Sequence, residues 1–346
     1  MSIIKKGPTS SISRRSLLKG GLGAGALAVT GFPFVITSAR AQSPVAGKTI
    51  GFSQSYATDE WLKLQRQDVL AYAANLGLEV VATDARENPA QEIRNLEDLA
   101  VRGVDAVIMI TYFAEAVQPG VKALNDAGIP VIVMSSALAG DVHFDAHLAA
   151  DTFGTAQQAG RYYVEALGGS GKIAQIEGRP GSLVNQARGE GFREIIDATP
   201  GMEVVAQGIA NYSRTEALTL MQDFLQAHRE IDAVYCHNDN MAKGALQAIQ
   251  EAGRTEEMWI TGFDASAPET LQMIKDGQLR GSFLYPTFGG EAVEVTSRIL
   301  QGQEVKREIV FASPMVTAEN VDEFYDAETQ TRKVPAVDMD ALFGVA

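Results

Sequence analysis

The sequence predicts an α/β fold built as two similar doubly wound parallel-sheet domains, and three observations carry that expectation. Strand-length apolar runs alternate with helical stretches of roughly 10–17 residues, the pattern of right-handed βαβ units. Some runs, such as Val104–Ile110 (VDAVIMI), are apolar throughout, as expected of strands covered by helices on both faces. The alternation proceeds to about Ser135 and starts again after a seam around Ala149–Phe153. A chain of 346 residues with 46% hydrophobic content has apolar material for two cores.

Taken in order, Lys48–Gln54 (KTIGFSQ) reads as a buried strand, and apolar spacing from Asp59 to Leu76 reads as a helix. Leu78–Thr83 is the next strand, and Pro89–Arg102 the next helix, with Pro89 in its first turn where no backbone donor is needed. After Val104–Ile110, a helix over Ala114–Ala127 and a strand at Pro130–Ser135 close the first run. The second run is helix Thr152–Leu167, strand Lys172–Glu177, helix Leu183–Ala198, strand Glu203–Ile209 and helix Arg214–Ala227. Strand Ala233–Cys236, helix Met241–Ala252, strand Trp259–Gly262 and helix Ala267–Asp276 continue it. Strand Leu279–Leu284, helix Phe288–Leu300 and strand Glu308–Phe311 are left over and fit either domain; the residues after Glu328 show little periodicity. In open α/β sheets small ligands bind at the carboxyl ends of the strands, so two such sheets place a site between them.

The charge is uneven. Residues 1–41 hold Lys5, Lys6, Arg14, Arg15, Lys19 and Arg40 and no acid, leaving 23 basic against 43 acidic side chains in the rest. So acidic a body repels phosphate backbones, and no nucleic-acid partner is expected. Ser13-Arg14-Arg15-Ser16-Leu17-Leu18-Lys19 is a twin-arginine export motif before a Gly-rich, weakly apolar stretch, and Ala39-Arg40-Ala41 supplies small residues for cleavage before Gln42. The interruptions at Gly21, Gly23, Gly25, Gly31 and Pro33 argue against a membrane-spanning helix there.

Enzymatic signatures are sparse. His143 and His147 have a zinc-compatible spacing for a helix, but their segment is Gly-bounded and strand-like, so no metal is expected. Gly168-Gly169-Ser170-Gly171-Lys172 lacks the spacing of a phosphate loop, and no Gly-x-Ser-x-Gly elbow or Cys/His cluster occurs. Cys236, the single cysteine, ends an apolar strand and reads as an inert buried thiol.

The chain resembles the periplasmic sugar-binding proteins of ABC importers, of the ribose- and galactofuranose-binding type. Ile50-Gly51-Phe52-Ser53-Gln54, Asn88-Pro89-Ala90-Gln91, Arg188-Gly189-Glu190-Gly191-Phe192, His237-Asn238-Asp239-Asn240-Met241 with Gly244-Ala245-Leu246, and Gly262-Phe263-Asp264 carry the resemblance from about Lys48 to Asn320. It implies a type I periplasmic-binding fold in which a three-stranded hinge joins the lobes. Residues 46–150 with 286–312 would form one lobe, and 151–285 with 313–330 the other. Residues 1–41 would be a cleaved signal peptide and 331–346 a tail.

The resemblance also implies a ligand set. Trp61 and Tyr212 match aromatic positions, where a ring buries the C–H face of a sugar. Asn238 and Asp264 match residues that bond sugar hydroxyls, and Ser55 and Asp59 lie on the first βα loop where the family takes polar contacts. Three places depart: Ser135 and Ser136 replace an Asp-Arg pair, Gln186 replaces an Arg, and Tyr285 replaces a Gln. The lost guanidinium groups point away from an acidic ligand and toward a neutral one. Other roles stay open, with helix capping by Asn238, Asp239 or Asp264 and simple packing by Trp61 or Tyr212.

The implied function is that of a monomeric periplasmic solute-binding protein. It would capture a small neutral monosaccharide or polyol by hinge closure and deliver it to a membrane permease, without cofactor or catalysis. A sensory receptor of the same fold and an exported α/β enzyme are the alternatives.

Overall fold

The computed structural model describes residues 43–333; the twin-arginine segment, the cleavage position near Ala41 and residues 334–346 of the expected tail lie outside them. The first run forms β1 (Thr49–Gln54), α1 (Glu60–Leu76), β2 (Glu79–Asp84), α2 (Pro89–Arg102), β3 (Ala106–Ile110), α3 (Gln118–Asp126), β4 (Val131–Met134) and β5 (Ala146–Ala150). The second forms α4 (Thr152–Ala166), β6 (Gly171–Glu177), α5 (Leu183–Asp197), β7 (Met202–Ile209), α6 (Arg214–Ala227), β8 (Ala233–Cys236), α7 (Asp239–Glu251), β9 (Trp259–Asp264), α8 (Pro268–Lys275) and β10 (Gly281–Leu284). Then α9 (Gly289–Leu300) and β11 (Glu308–Phe311) return to the first sheet, and β12 (Met315–Val316) to the second.

The strand orders are β11-β5-β4-β3-β1-β2 and β12-β10-β9-β8-β6-β7, parallel throughout except for the antiparallel β12 at one edge. Each sheet is apolar on both faces. Along β3, Ala106, Ile108 and Ile110 join the core under α1 and α9, while Val107 and Met109 join the one under α2 and α3. That period of two, buried on both sides, is why the run is apolar without interruption. The second sheet repeats the arrangement: Ile176, Val234 and Ile260 pack toward α6 and α7, and Ile173, Ala233 and Tyr235 toward α4 and α5. The chain passes between sheets three times, from β5 to α4, from β10 to α9 and from β11 to β12.

Local signals placed most boundaries. Asp59 and Asn88 cap α1 and α2, accepting from Leu62 N and Gln91 N, and left-handed Gly77 and Gly103 end them. The expected helix from Ala114 begins only at Gln118, because Pro119 sets its first turn. Strand β5 lacks a clear alternation in the sequence; it is identified by pairing with β4 and β11 and supplies the expected seam. His147 sits on it, bonding the Ser135 carbonyl at 2.9 Å and Glu308 at 2.8 Å, and so serves the β5–β11 edge. Beyond Asn320 a short hairpin, β13 (Tyr325–Asp326) with β14 (Thr331–Arg332), is held by the Arg332–Asp68 ion pair; two-residue strands leave no periodic trace.

The glycines of the resemblance motifs have packing reasons. A Cβ on Gly191 would lie 2.5 Å from the Phe153 carbonyl oxygen, and one on Gly244 would lie 2.1 Å from that of Arg214. These contacts set the approach of α5 to α4 and of α7 to α6. Gly244→Ala gains up to about 1 kcal/mol of helix propensity but must push α6 off, at about 1–3 kcal/mol or more, so the clash prevails. The expected result is a lower urea midpoint at unchanged slope; a midpoint at or above wild type would contradict this account.

Candidate functional site

The carboxyl ends of both sheets converge on one cleft, lined by Asp59, Trp61, Tyr112, Ser135, Val184, Arg188, Tyr212, Asn238, Asp264 and Tyr285. The first lobe delivers its side chains from the turns after β1, β3 and β4. Asp59 closes the loop after β1, its Oδ1 accepting from Leu62 N at 2.7 Å. Trp61 follows in the first turn of α1; its Nε1 donates to the Tyr285 carbonyl at 3.0 Å, and its ring lies 5.5 Å from that of Tyr285. Ser135, just past β4, shares a 2.9 Å hydrogen bond with the Tyr285 hydroxyl.

The second lobe contributes from α5, β7, β8 and β9. Tyr212 follows β7, Asn238 follows β8 and caps α7 by accepting from Met241 N at 2.9 Å, and Asp264 ends β9. Asn238, not Asp239, is therefore the cap, which leaves the Asn238 side-chain amide free to face the cleft. Asp239 instead accepts from Ala265 N at 2.8 Å and from Ser282 Oγ at 2.6 Å, fixing the turn that presents Asp264. Asp264 does not cap α8, whose N-cap is Ala267.

Arg188 is the charged lining residue that sequence reasoning missed, with Tyr112 and Val184 beside it. Its guanidinium is buried in the cleft wall, donating to the His237 carbonyl and, at 3.4 Å, to Asp264 Oδ1, and it lies over the rings of Phe263 (4.4 Å) and Tyr285 (4.9 Å). Its Nε is buried without a protein partner. Burial pushes the Asp264 carboxyl upward, and the adjacent guanidinium opposes that shift. His237 behind it is driven down to about 3 by burial and so is neutral: Nδ1 donates to Asn185 Oδ1 (2.7 Å) and Nε2 accepts from Gln175 (3.1 Å). The signal for Arg188 was periodic, since Val184, Arg188 and Phe192 share one helix face.

Three expected site residues lie outside this lining. Gln186 is on the exposed side of α5, donating to Glu190 at 2.8 Å, so the guanidinium it was expected to remove is supplied by Arg188 two positions on. Ser136 lines a separate surface pocket with Phe113, Gly181 and Leu183. Ser55 is beneath the cleft, donating to Glu92 at 2.8 Å and accepting from Tyr112 N at 2.9 Å. It positions the Tyr112 backbone.

The lobes also meet beside the cleft. Lys243 on α7, with only 1% of its side chain exposed, bonds Glu60 of α1 at 2.6 Å and Glu269 at 2.9 Å. Arg179 bonds Glu87 at 2.9 Å and lies 4.9 Å above the Tyr56 ring. With these contacts made, the cavity has a volume of about 30 Å³.

Comparison with known proteins places this geometry among relatives. The periplasmic binding protein domain family matches residues 50–304. The ribose import binding protein of Salmonella typhimurium is 36% identical over 237 residues, which is 68% of this chain and 78% of that protein. A solute-binding protein of an ABC transporter from Bacillus halodurans, solved with bound myo-inositol, is 30% identical with a TM-score of 0.75, covering 82% of this chain and 98% of that one. The fructose-binding periplasmic domain of a hybrid two-component system is 29% identical with a TM-score of 0.74, covering 80% and 92%.

Glu92 gives the site's surroundings a pH signature. Burial raises its carboxyl from 4.5 to about 7 against the opposing bonds of Ser55 and Thr111. An acid whose folded value is raised contributes stability that is present below pH 4.5 and lost as pH rises through 7, a swing of order 3 kcal/mol. Glu92→Gln removes that loss, so the variant's melting temperature relative to wild type should climb between pH 5 and pH 8. A pH-independent difference would refute the assignment.

Proposed function

We propose that this chain, which belongs to the periplasmic binding protein domain family, is the solute receptor of an ABC importer for a small neutral carbohydrate, a monosaccharide or polyol. The observation that carries the reading is the cleft at the carboxyl ends of two parallel sheets, where hydroxyl-matching groups and aromatic rings from both lobes converge. Trp61 and Tyr212 would cover the C–H faces of the ligand; Asn238, Asp264, Ser135 and Arg188 would bond its hydroxyls, and Arg188 Nε offers a donor without a protein acceptor. Only the closed form lets one ligand touch both lobes, so binding shifts the population toward closure, and a membrane permease would read the relative placement of the lobes.

The finer expectations belong to this proposal. Residues 46–150 with 286–312 and 151–285 with 313–330 would be the moving lobes, hinged at the three chain passages. The protein would be exported by the twin-arginine route, cleaved near Ala41, and act in the periplasm as a monomer without catalysis. A sensory role is the second reading, favoured by the likeness to the fructose-binding domain of a two-component system.

Thermal unfolding against a panel of sugars and polyols tests the receptor reading. A ligand at a hundred times its dissociation constant should add about 2.7 kcal/mol, a shift of several degrees. Silence across a broad panel, with no ligand released on denaturation, would refute it. Asp264→Asn should weaken the hit by roughly 10- to 100-fold, the worth of a charge-assisted hydrogen bond. Truncation to Ala is a poorer test, because it leaves Arg188 buried without its carboxylate. Unchanged affinity in the Asn variant would remove Asp264 from the site.

A further inference from the structure

The charges lining the cleft do not balance. Three ionisable side chains of fixed charge face it: Asp59, Asp264 and Arg188. Arg188 is committed, with one nitrogen on the His237 carbonyl and another on Asp264, so this pair neutralises itself. Asp59 accepts from the backbone N–H of Leu62 and faces the Tyr56 hydroxyl, neither of which carries a charge. The helix terminus it caps contributes only a partial positive charge, about half an elementary unit. Of the cations near it, Lys63 is exposed at the surface and Arg179 is already engaged by Glu87. Lys243, the next cation along the lobe interface, is shared between Glu60 and Glu269. The second carboxylate of the cleft therefore has no counter-charge of its own.

Closing such a cleft over an uncharged ligand takes an uncompensated carboxylate out of water, a penalty that a cation on the ligand removes. The rings point the same way. Trp61, Tyr112, Tyr212 and Tyr285 line the same small space, and aromatic faces attract cations as well as C–H groups; the Arg188 guanidinium already uses the Tyr285 face at 4.9 Å. We propose, in place of the neutral ligand expected from the sequence, that the ligand is a polyhydroxylated amine, an amino sugar or aminated polyol whose ammonium group pairs with Asp59 among these rings while its hydroxyls engage Asn238, Asp264 and Arg188.

This inference rests on the carbohydrate-receptor reading and is tested separately from it. Calorimetric titration of the mature chain would use matched sets: D-glucose, D-glucosamine and N-acetyl-D-glucosamine, then corresponding sets for pentoses and inositols. The expected result is that, within the set that binds, the free amine binds at least tenfold more tightly than its hydroxyl parent, and acetylation abolishes the gain. Asp59→Asn retains a capping side chain, so α1 keeps its terminus, and in this variant the amine and its hydroxyl parent should bind with equal affinity. A hydroxyl parent that binds as tightly as its amine overturns the inference and leaves the receptor reading standing, as does a preference unchanged in Asp59→Asn. Binding by no member of any set overturns both.

Discussion

The organisation of the cleft depends on one buried guanidinium. Arg188 reaches the His237 carbonyl at the end of β8, Asp264 at the end of β9 and the ring of Tyr285 where the chain leaves the second sheet. A charge that deep is tolerable only when it is paired and hydrogen-bonded, and supplying those partners dictates the neighbourhood. His237 is held neutral by its burial and, beyond that, by the facing Arg188 cation; Asp239 pins the turn after β9 so that Asp264 meets the guanidinium. Strand ends, loop conformations and protonation states follow from placing one cation between two strands and a crossing segment.

That placement has a conformational cost. Ser135, Tyr212 and Asp264 have φ of 69°, 63° and 111°, a region that residues with a Cβ avoid, and Phe288 at the second crossing has 58°. Each such residue costs of order 1–3 kcal/mol and persists only where surrounding contacts over-determine it. Here they do: Ser135 is bonded to Tyr285, Asp264 to Arg188, and Phe288 is packed against Trp61 and Phe311. Strain gathers at the cleft and the hinge, with Asn211 and Ala265 beside Tyr212 and Asp264, and recurs in turns at Arg86, Glu87 and Gln330. Rigid scaffolds carrying strained rims suit the proposed receptor, whose lobes would present side chains in fixed positions yet move relative to one another.

Buried ionisable groups around the rim act in opposite directions with pH. Glu92, raised to about 7, favours the fold at low pH, whereas His237, lowered to about 3, contributes stability that is full above 6.5 and lost as pH falls toward 3. Their windows overlap, so the two contributions partly offset each other across mildly acidic pH.

Much of this was legible in the linear sequence. Period-two apolar runs, roughly 3.6-residue helix faces and Pro89 in a first turn are local signals, and they located nearly every element; most of the cleft lining was expected from the resemblance alone. The resemblance motifs pointed to the right stretches, but not always to the right side chain within them: Arg188 was overlooked beside Gln186, Ser136 faces a different pocket, and Ser55 supports the cleft from beneath. Strand β5 and the hairpin after Asn320 depend on partners distant in the chain. Secondary structure and fold class follow from interactions between residues a few positions apart, which a sequence records directly. Which face of α5 looks into the cleft, which carboxylate keeps a counter-charge and which is left without one are set by the meeting of segments up to two hundred residues apart, and only the tertiary structure decided them.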